Sequence, residues 1–298
     1  MIDYFKGTGD LSIRYGFWPC LSRSKAGTVL LLNGRREFME KYDETIGDLK
    51  CRCYDVYSMD WRGQGGSERL LANPQKGYIN NYQQYIDDLD VLIEKIIRPC
   101  NAGPLIGLAH SMGGHILLRY LSTKPEAVER VIMTAPMFDI HIDSLSAVLL
   151  RRLIRLAMRL GLAHRYTIGS GDYAPDDRRF PGNRLTSDPE RFLIERRAIG
   201  KNPDLALGGV TYGWLDATLQ SIDALMDPAT VAGISTPLLI ISAADDKVVS
   251  NRAQQTLSGR IPGCELITLA GSRHEVLFET DPVRNRFWAE FDRFSTRR

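Results

Sequence analysis

Short apolar segments alternate along the chain with longer segments in which apolar residues recur at helical spacing. The apolar, strand-like runs cover residues 28–34, 51–60, 104–110 and 130–136, and the segment 82–97 has helical periodicity. This alternation predicts a mostly parallel sheet with helices on both faces.

The alternation stops after residue 136. Between 137 and 228 the pattern is helical or rich in turn residues, with no convincing buried strand. Strand-like runs return at 237–246 and 264–272, and helices are predicted from about Asn251 and Pro282. The sequence therefore predicts a helical insertion, 137–228, in one α/β core.

Length and composition agree with a single core formed by residues 1–136 and 229–298. The chain has 298 residues, of which 44% are hydrophobic, and its net charge is +2 from 38 basic and 36 acidic residues. That balance gives no electrostatic case for a nucleic-acid partner. Residues 1–10 do not resemble a secretory leader, and no run of about 18 apolar residues occurs, so we expect a soluble, cytoplasmic protein. The oligomeric state does not follow from the sequence.

The five cysteines do not form a metal-binding pattern. They are scattered, and the pair Cys51 and Cys53 has no second pair to complete a zinc site. We expect buried free thiols and no metal.

Ser111 stands between a predicted strand and a predicted helix, and Gly113 and Gly114 follow it after Met112. Small residues allow the tight strand-to-helix turn that exposes a nucleophilic serine above a sheet. A serine followed by glycines arises often by chance, so the signal depends on its context.

A nucleophilic serine needs a base and an orienting carboxylate, and both occur at the ends of later predicted strands. His274 follows the strand at 264–272, and Asp245 and Asp246 end the strand at 237–246. The residues themselves leave the choice between Asp245 and Asp246 open. The two other histidines near the serine, His110 and His115, are expected to have packing or hydrogen-bonding roles.

Five segments together resemble the lysophospholipase and monoacylglycerol lipase group of the α/β-hydrolase superfamily. They are NGRREFMEKY, MDWRGQGGSERL, AHSMGG, AADDKVVSN and GSRHEVLFE. The resemblance runs nearly end to end, and residues 183–214 are similar to the lid region of bacterial members. It implies an α/β-hydrolase fold with a helical lid insertion.

The resemblance also implies site residues. Ser111 matches the nucleophile, His274 the base and Asp246 the acid, with Asp245 as the alternative; the backbone N–H groups of Met112 and Arg35 match the oxyanion hole. The implied reaction is hydrolysis of a single-chain lipid ester through an acyl-enzyme, with no metal or organic cofactor.

Two positions depart from the pattern of the group. Two residues before the serine, Ala109 replaces a glycine, and its methyl group should crowd the strand-to-helix turn at Ser111. In the oxyanion loop, Asn33-Gly34 replaces His-Gly, and we expect the asparagine to hold the loop by hydrogen bonding as histidine would.

The insertion contains a basic amphipathic segment, 146–166. Arg151, Arg155 and Arg159 fall on one helical stripe, and four leucines fall on another: Leu149, Leu153, Leu156 and Leu160. One interpretation is a lid helix that covers the acyl pocket and exposes its basic face to solvent. The other is a helix that rests on an anionic membrane, which would place the protein peripherally at the bilayer.

Two further motifs have alternative interpretations. Tyr212 and Trp214 could line the acyl slot or belong to the ordinary core. The glycines of DWRGQGGSE resemble a phosphate-binding loop, but no Lys-Ser/Thr pair follows, which favours a structural turn.

Three functions are compatible with these residues. The first is a lysophospholipase or monoacylglycerol lipase-like esterase, and the second is an acyltransferase or short-chain carboxylesterase with the same triad. The third is a non-catalytic ligand-binding relative, for which a triad residue should be missing.

Overall fold

A computed structural model describes residues 1–101, 103–140, 147–175 and 179–297. These residues contain eight strands in one sheet. The strands are β1 (Ile2–Lys6), β2 (Ser12–Trp18), β3 (Gly27–Leu32), β4 (Tyr54–Met59), β5 (Leu105–His110), β6 (Arg130–Thr134), β7 (Leu238–Ala243) and β8 (Glu265–Leu269).

The sheet has the order β1-β2-β4-β3-β5-β6-β7-β8. The pairs β1–β2 and β2–β4 are antiparallel, and all other neighbours are parallel. Leu108 in the central strand β5 pairs with Leu31 on one side and Ile132 on the other. The carboxyl ends of β5, β7 and β8 therefore lie at one edge of the sheet, where the predicted site residues follow.

Helices cover both faces of the sheet. They are α1 (Asp43–Cys51), α2 (Gln83–Val91, continued by a π-helical turn, Leu92–Ile97), α3 (Met112–Leu121), α4 (Ala147–Arg159), α5 (Pro189–Phe192), α6 (Ile194–Lys201), α7 (Tyr212–Met226), α8 (Pro228–Val231), α9 (Asn251–Ser258) and α10 (Asp281–Ser295). One buried cluster packs α2, α3 and α9 against the sheet, and a second packs α1 and α10 against the opposite face. The predicted parallel sheet with helices on both faces is confirmed.

The boundaries differ from the prediction at several strands. The run 51–60 begins as a strand only at Tyr54, because Cys51 ends α1 and Cys53 has a left-handed φ of 65°. Strands β1 and β2 were not predicted. Almost every residue of β1 is exposed at the sheet edge, so this strand lacks a clear apolar pattern.

Helices α4 to α8 lie between β6 and β7, where the helical segment was predicted. Two isolated β-bridges, Gly77 with Val210 and Tyr166 with Thr211, hold the loop before α7 against neighbouring segments. Within the described ranges, we find no helix with the length and apolar character needed to span a bilayer.

The cysteines are free, but the expectation that they are buried is wrong for most of them. Only Cys20 is buried; Cys53 and Cys264 are half-buried, and Cys51 and Cys100 are exposed. Cys51 and Cys100 occupy the ends of surface helices, where no core residue covers them.

Candidate active site

Ser111 occupies a strained turn between β5 and α3. Its φ of 49° and ψ of −115° are unfavourable for a residue with a Cβ atom. The turn is held because Ser111 N donates to Thr134 O at 3.1 Å and Ser111 O accepts from Met137 N at 3.0 Å. Gly113 is required next to it, since a Cβ there would lie 2.6 Å from Asn33 O. The fold thus fixes the serine hydroxyl at the edge of a cavity.

His274 contacts both Ser111 and Asp246. Its Nε2 lies 3.0 Å from Ser111 Oγ, and its Nδ1 lies 2.7 Å from Asp246 Oδ2. The other carboxylate oxygen of Asp246 accepts from the N–H groups of Val248 and Val249 at 2.7 and 3.0 Å. Burial raises the pKa of Asp246, but its bonds and charge interaction with His274 and these two amides outweigh burial, and the pKa is lowered. The acid is therefore ionised and fixed beside the imidazole.

Asp245 does not reach the histidine. Its side chain is exposed, and its backbone N–H donates to Ser272 O at 2.9 Å. Adjacent residues at a strand end point in different directions, so only Asp246 contacts His274. The geometry thus selects between the two aspartates that the residues alone left open.

The two predicted oxyanion donors lie at the start of α3 and in the turn after β3. Met112 is the first residue of α3, so its N–H has no acceptor within the helix. In the turn after β3, Gly34 N donates to Glu37 Oε2 at 2.5 Å and Arg36 N donates to Gln64 Oε1 at 2.7 Å. These two bonds hold the turn on both sides of the Arg35 amide, which is the candidate donor.

The expected role of Asn33 is wrong. Among the residues that the structure describes, neither Asn33 Nδ2 nor Asn33 Oδ1 has a hydrogen-bond partner, although the side chain is fully buried. The turn is held instead by Glu37 and by Trp61, whose Nε1 donates to Asn33 O at 2.9 Å. The Glu37 carboxylate, four residues further along the chain, therefore does what we expected of the Asn33 amide.

Glu37 belongs to a buried ion network that joins the oxyanion turn to the histidine loop. Lys41 Nζ lies 2.7 Å from Glu37 Oε1 and 2.7 Å from Glu275 Oε1, and Tyr42 Oη donates to Glu37 Oε2 at 2.6 Å. Burial opposes ionisation of Glu37, but Lys41, His110 and Tyr42 lower its pKa to about 2. Burial raises the pKa of Glu275, against the effect of Lys41. Glu275 directly follows His274, so the network joins two elements of the site.

His110 and His115 are buried and hydrogen-bonded, as expected. His110 Nδ1 lies 3.1 Å from both Thr134 O and Thr134 Oγ1, and burial lowers its pKa to about 4. His115 bonds Met137 O at 3.0 Å and Ser221 Oγ at 2.7 Å, and burial lowers its pKa to about 3. Both rings are therefore neutral near pH 7.

A cavity of about 250 Å³ opens over Ser111 and His274. One part of its wall is apolar and includes Met137, Ile140 and Val249. Another part is charged, formed by Arg35, Arg36, Glu37, Glu195 and Glu275. Besides Met137 and Ile140, the insertion contributes Leu185, Glu195, Val210 and Trp214 to the wall.

Tyr212 and Trp214 lie in different cavities. Trp214 lines the cavity over Ser111, whereas Tyr212 lines an apolar groove of about 490 Å³ formed mainly by α4. Residues two apart on a helix point to different sides, which explains the separation. The two aromatic residues therefore do not form one slot.

The predicted turn after β4 is structural and also supports the site. Asp60 accepts from Met39 N at 2.9 Å and from Gly66 N at 2.7 Å, and Gln64 accepts from Arg36 N. No local pattern in the sequence marks Gln64, Glu37, Lys41 or Glu275 as site residues. The motifs NGRREFMEKY and GSRHEVLFE contain three of them, but spacing alone does not show that the two motifs meet.

The strand order, the strained serine turn and the insertion between β6 and β7 define an α/β-hydrolase. A family model described as serine aminopeptidase S33 (Hydrolase_4) matches residues 23–281. The chain therefore belongs to this family.

Curated relatives and solved structures agree with this assignment. The chain is 31% identical over 292 residues to the probable lysophospholipase L2 of Haemophilus influenzae, covering 98% of this chain and 91% of that protein. It is 30% identical over 289 residues to lysophospholipase L2 of Escherichia coli K12, covering 94% and 83%. A soluble variant of Saccharomyces cerevisiae monoglyceride lipase, solved with a substrate analogue, shares the fold with a TM-score of 0.79 at 21% identity, covering 99% of this chain and 94% of that one.

Proposed function

We propose that this protein is a serine carboxylester hydrolase of single-chain lipid esters, with lysophospholipase or monoacylglycerol lipase-like activity. The observation that carries the proposal is the chain of contacts from Asp246 through His274 to Ser111, at the edge of a cavity with an apolar wall. The names of the curated relatives support lipid esters as the substrate class.

The geometry suits ester hydrolysis through an acyl-serine intermediate. Ser111 Oγ attacks the ester carbonyl while His274 Nε2 takes its proton, and the N–H groups of Met112 and Arg35 stabilise the oxyanion. His274 then gives the proton to the departing alcohol oxygen, leaving an acyl-enzyme. Water attacks the acyl-enzyme with His274 again as base, which releases the fatty acid and restores Ser111. Asp246 keeps the imidazole oriented and stabilises its charged form throughout.

Residues 137–228 act as the lid in this proposal. Six residues of this segment line the cavity over the serine, so the lid excludes water from the reacting ester. The cavity volume of about 250 Å³ is below the usual range of roughly 300–1,000 Å³ for ligand sites. A long acyl chain would therefore extend beyond it.

We also propose that α4 rests on an anionic membrane, so that the cytoplasmic protein is peripheral at the bilayer. Leu153, Leu156 and Leu160 are 44, 53 and 65% exposed on one stripe, and they border the apolar groove. Arg155 and Arg159 are exposed beside them. An exposed apolar stripe flanked by cations is typical of helices that lie in a membrane interface.

The membrane proposal is tested by flotation with vesicles of phosphatidylglycerol or of phosphatidylcholine. Leu156→Asp should reduce binding to the anionic vesicles, whereas Leu21→Asp, at a 92% exposed leucine outside the insertion, should not. Equal binding of wild type and Leu156→Asp would contradict the proposal.

The enzymatic proposal is tested with a p-nitrophenyl ester, a monoacylglycerol and lysophosphatidylcholine, using wild type and Ser111→Ala. Wild type should hydrolyse the lipid esters, and Ser111→Ala should lose turnover. An added acceptor alcohol separates hydrolysis from acyl transfer by the ratio of fatty acid to new ester. Failure of wild type to cleave any ester would favour the ligand-binding alternative.

A further inference from the structure

The charged residues that line the cavity over Ser111 form a basic group and an acidic group. The guanidinium of Arg35 lies against Trp214, with Cζ 4.9 Å from the ring centre, and its Nη2 donates to Gly208 O at 2.9 Å. The carboxyl groups gather instead around Lys41, which contacts Glu37 and Glu275 and interacts electrostatically with Glu195. A ligand in this cavity therefore meets cations on one wall and carboxylates on another.

Arg36 has a backbone conformation that is unfavourable for any residue with a side chain. Its φ is 68°, in the left-handed region that glycine adopts without strain. Such strain costs about 1–3 kcal/mol and is found mostly at ligand sites and active sites. The guanidinium of Arg36 lies 5.9 Å from the ring centre of Tyr173, and Arg36 lines the cavity. An arginine at this position points to a use for its side chain.

The number of bonds along the substrate matches the length of the Arg35 side chain. Arg35 N is the candidate oxyanion donor, so the Arg35 guanidinium lies one side-chain length from the ester carbonyl. In a single-chain glycerophospholipid, the three-carbon glycerol unit separates the ester from the phosphorus by a comparable number of bonds. Planar guanidinium groups bind phosphate oxygens in pairs, which suits this position.

We propose that Arg35 and Arg36 bind the phosphate of a single-chain phospholipid and that Glu195 receives its ammonium group. The inference rests on the proposed ester hydrolysis and assigns the residues that select the head group. The wall has two arginines and three glutamates, and Lys41 contacts two of the glutamates, so the formal charges of these six residues sum to zero. A zwitterion complements such a wall better than a neutral glycerol or a dianionic phosphate does.

The test compares kcat/KM for three octanoyl substrates below their micelle concentration: lysophosphatidylethanolamine, lysophosphatidate and monoacylglycerol. Short chains keep membrane binding by α4 out of the measurement. Arg36→Met keeps an unbranched side chain and the same backbone strain but removes the guanidinium charge. It should lower kcat/KM for both phosphate substrates about 10- to 100-fold more than it lowers kcat/KM for monoacylglycerol.

Glu195→Gln should lower kcat/KM for lysophosphatidylethanolamine but not for lysophosphatidate. Arg36→Lys should recover part of the phosphate preference, and Arg23→Met, at an exposed arginine outside the cavity, should match wild type. Equal losses on all three substrates, or no loss on any, would overturn the inference. Wild type that cleaves only monoacylglycerol would also overturn it while leaving the proposed hydrolysis intact, whereas wild type that cleaves none would defeat the proposed function itself.

Discussion

Replacing Lys41 with methionine should destabilise the protein most strongly at neutral pH. Lys41 is 2% exposed, and its ammonium group is 2.7 Å from carboxylate oxygens of both Glu37 and Glu275. Methionine preserves most of the length of the side chain but removes the cation. Removing one partner of a buried ion pair costs about 3–5 kcal/mol, because the remaining charge stays buried without compensation.

That loss corresponds to a measurable fall in melting temperature. An unfolding entropy of about 2.1 cal/mol/K per residue gives roughly 1.6 °C per kcal/mol for a chain of this length. Lys41→Met should therefore melt about 5–8 °C below wild type near pH 7.

The direction of the pH dependence follows from Glu37. In the folded wild type its pKa is lowered to about 2 from an ordinary value of 4.5, so its stabilising contribution is present above the ordinary value and is lost as the pH falls through the folded value. Without Lys41, burial should raise the pKa of Glu37 and raise that of Glu275 further. Both groups can then bind protons on acidification, and the neutral acids cost less to bury. The deficit of Lys41→Met relative to wild type should therefore shrink between about pH 7.5 and about pH 5.

Urea denaturation at both pH values measures this deficit directly. Glu275→Gln added to Lys41→Met should recover part of the loss, because it removes one of the two unpaired carboxylates. Lys25→Met is the control, since Lys25 pairs with Asp55 at 2.6 Å but is 47% exposed, and it should cost less than about 1 kcal/mol. A deficit for Lys41→Met below about 1 kcal/mol, or one that is equal at both pH values, would refute the role of charge pairing.

Three further substitutions test the site. Asp246→Asn should lower kcat about 10⁴-fold with little change in KM, the size known for this change in the Ser-His-Asp template, and unchanged ester hydrolysis would show that another group orients His274. Gly113→Ala should lower both activity and melting temperature, because its Cβ would lie 2.6 Å from Asn33 O and 2.7 Å from Leu32 O, whereas Gly47→Ala in α1, with no atom within 4 Å, should stabilise by about 0.5–1 kcal/mol. Asn33→Ala should change the free energy of unfolding by less than about 1 kcal/mol despite complete burial, because relief of an unpartnered amide offsets the lost packing; a urea-measured loss above about 2 kcal/mol would show that the amide is hydrogen-bonded in solution.

The contacts among Ser111, Asp246 and His274 were predictable because parallel strands bring their carboxyl ends to one edge. Each residue follows a strand-like run that is rich in apolar residues, and such runs are the clearest strand signal in a sequence. The choice of Asp246 over Asp245 required either the family resemblance or the three-dimensional structure, because both residues lie at the end of the same predicted strand.

Other features depended on contacts that no local pattern records. The Lys41 network joins residues more than 200 positions apart in sequence, and its members resemble ordinary surface charges when considered one at a time. The edge strand β1 is mostly exposed, so it carries little of the apolar signal that marked β3 to β8. The separation of Tyr212 from Trp214 was predictable, because residues two apart on a helix do not share a face.

The turn after β3 has two proposed roles: it holds the Arg35 amide in place, and it presents the side chains of Arg35 and Arg36 to the cavity. These two roles explain why side chains from several sides support it. In the proposed mechanism the Arg35 amide has to stay fixed for an oxyanion, and Glu37 on Gly34 N and Gln64 on Arg36 N hold the turn on both sides of it. A turn held only by its own backbone could relax from the strained φ of Arg36, which would move the Arg35 amide as well. The restraint on the turn comes from Glu37 and Gln64, while the side chains of Arg35 and Arg36 line the cavity over Ser111. In our proposal, the same short segment stabilises the transition state through its backbone and selects the head group through its side chains.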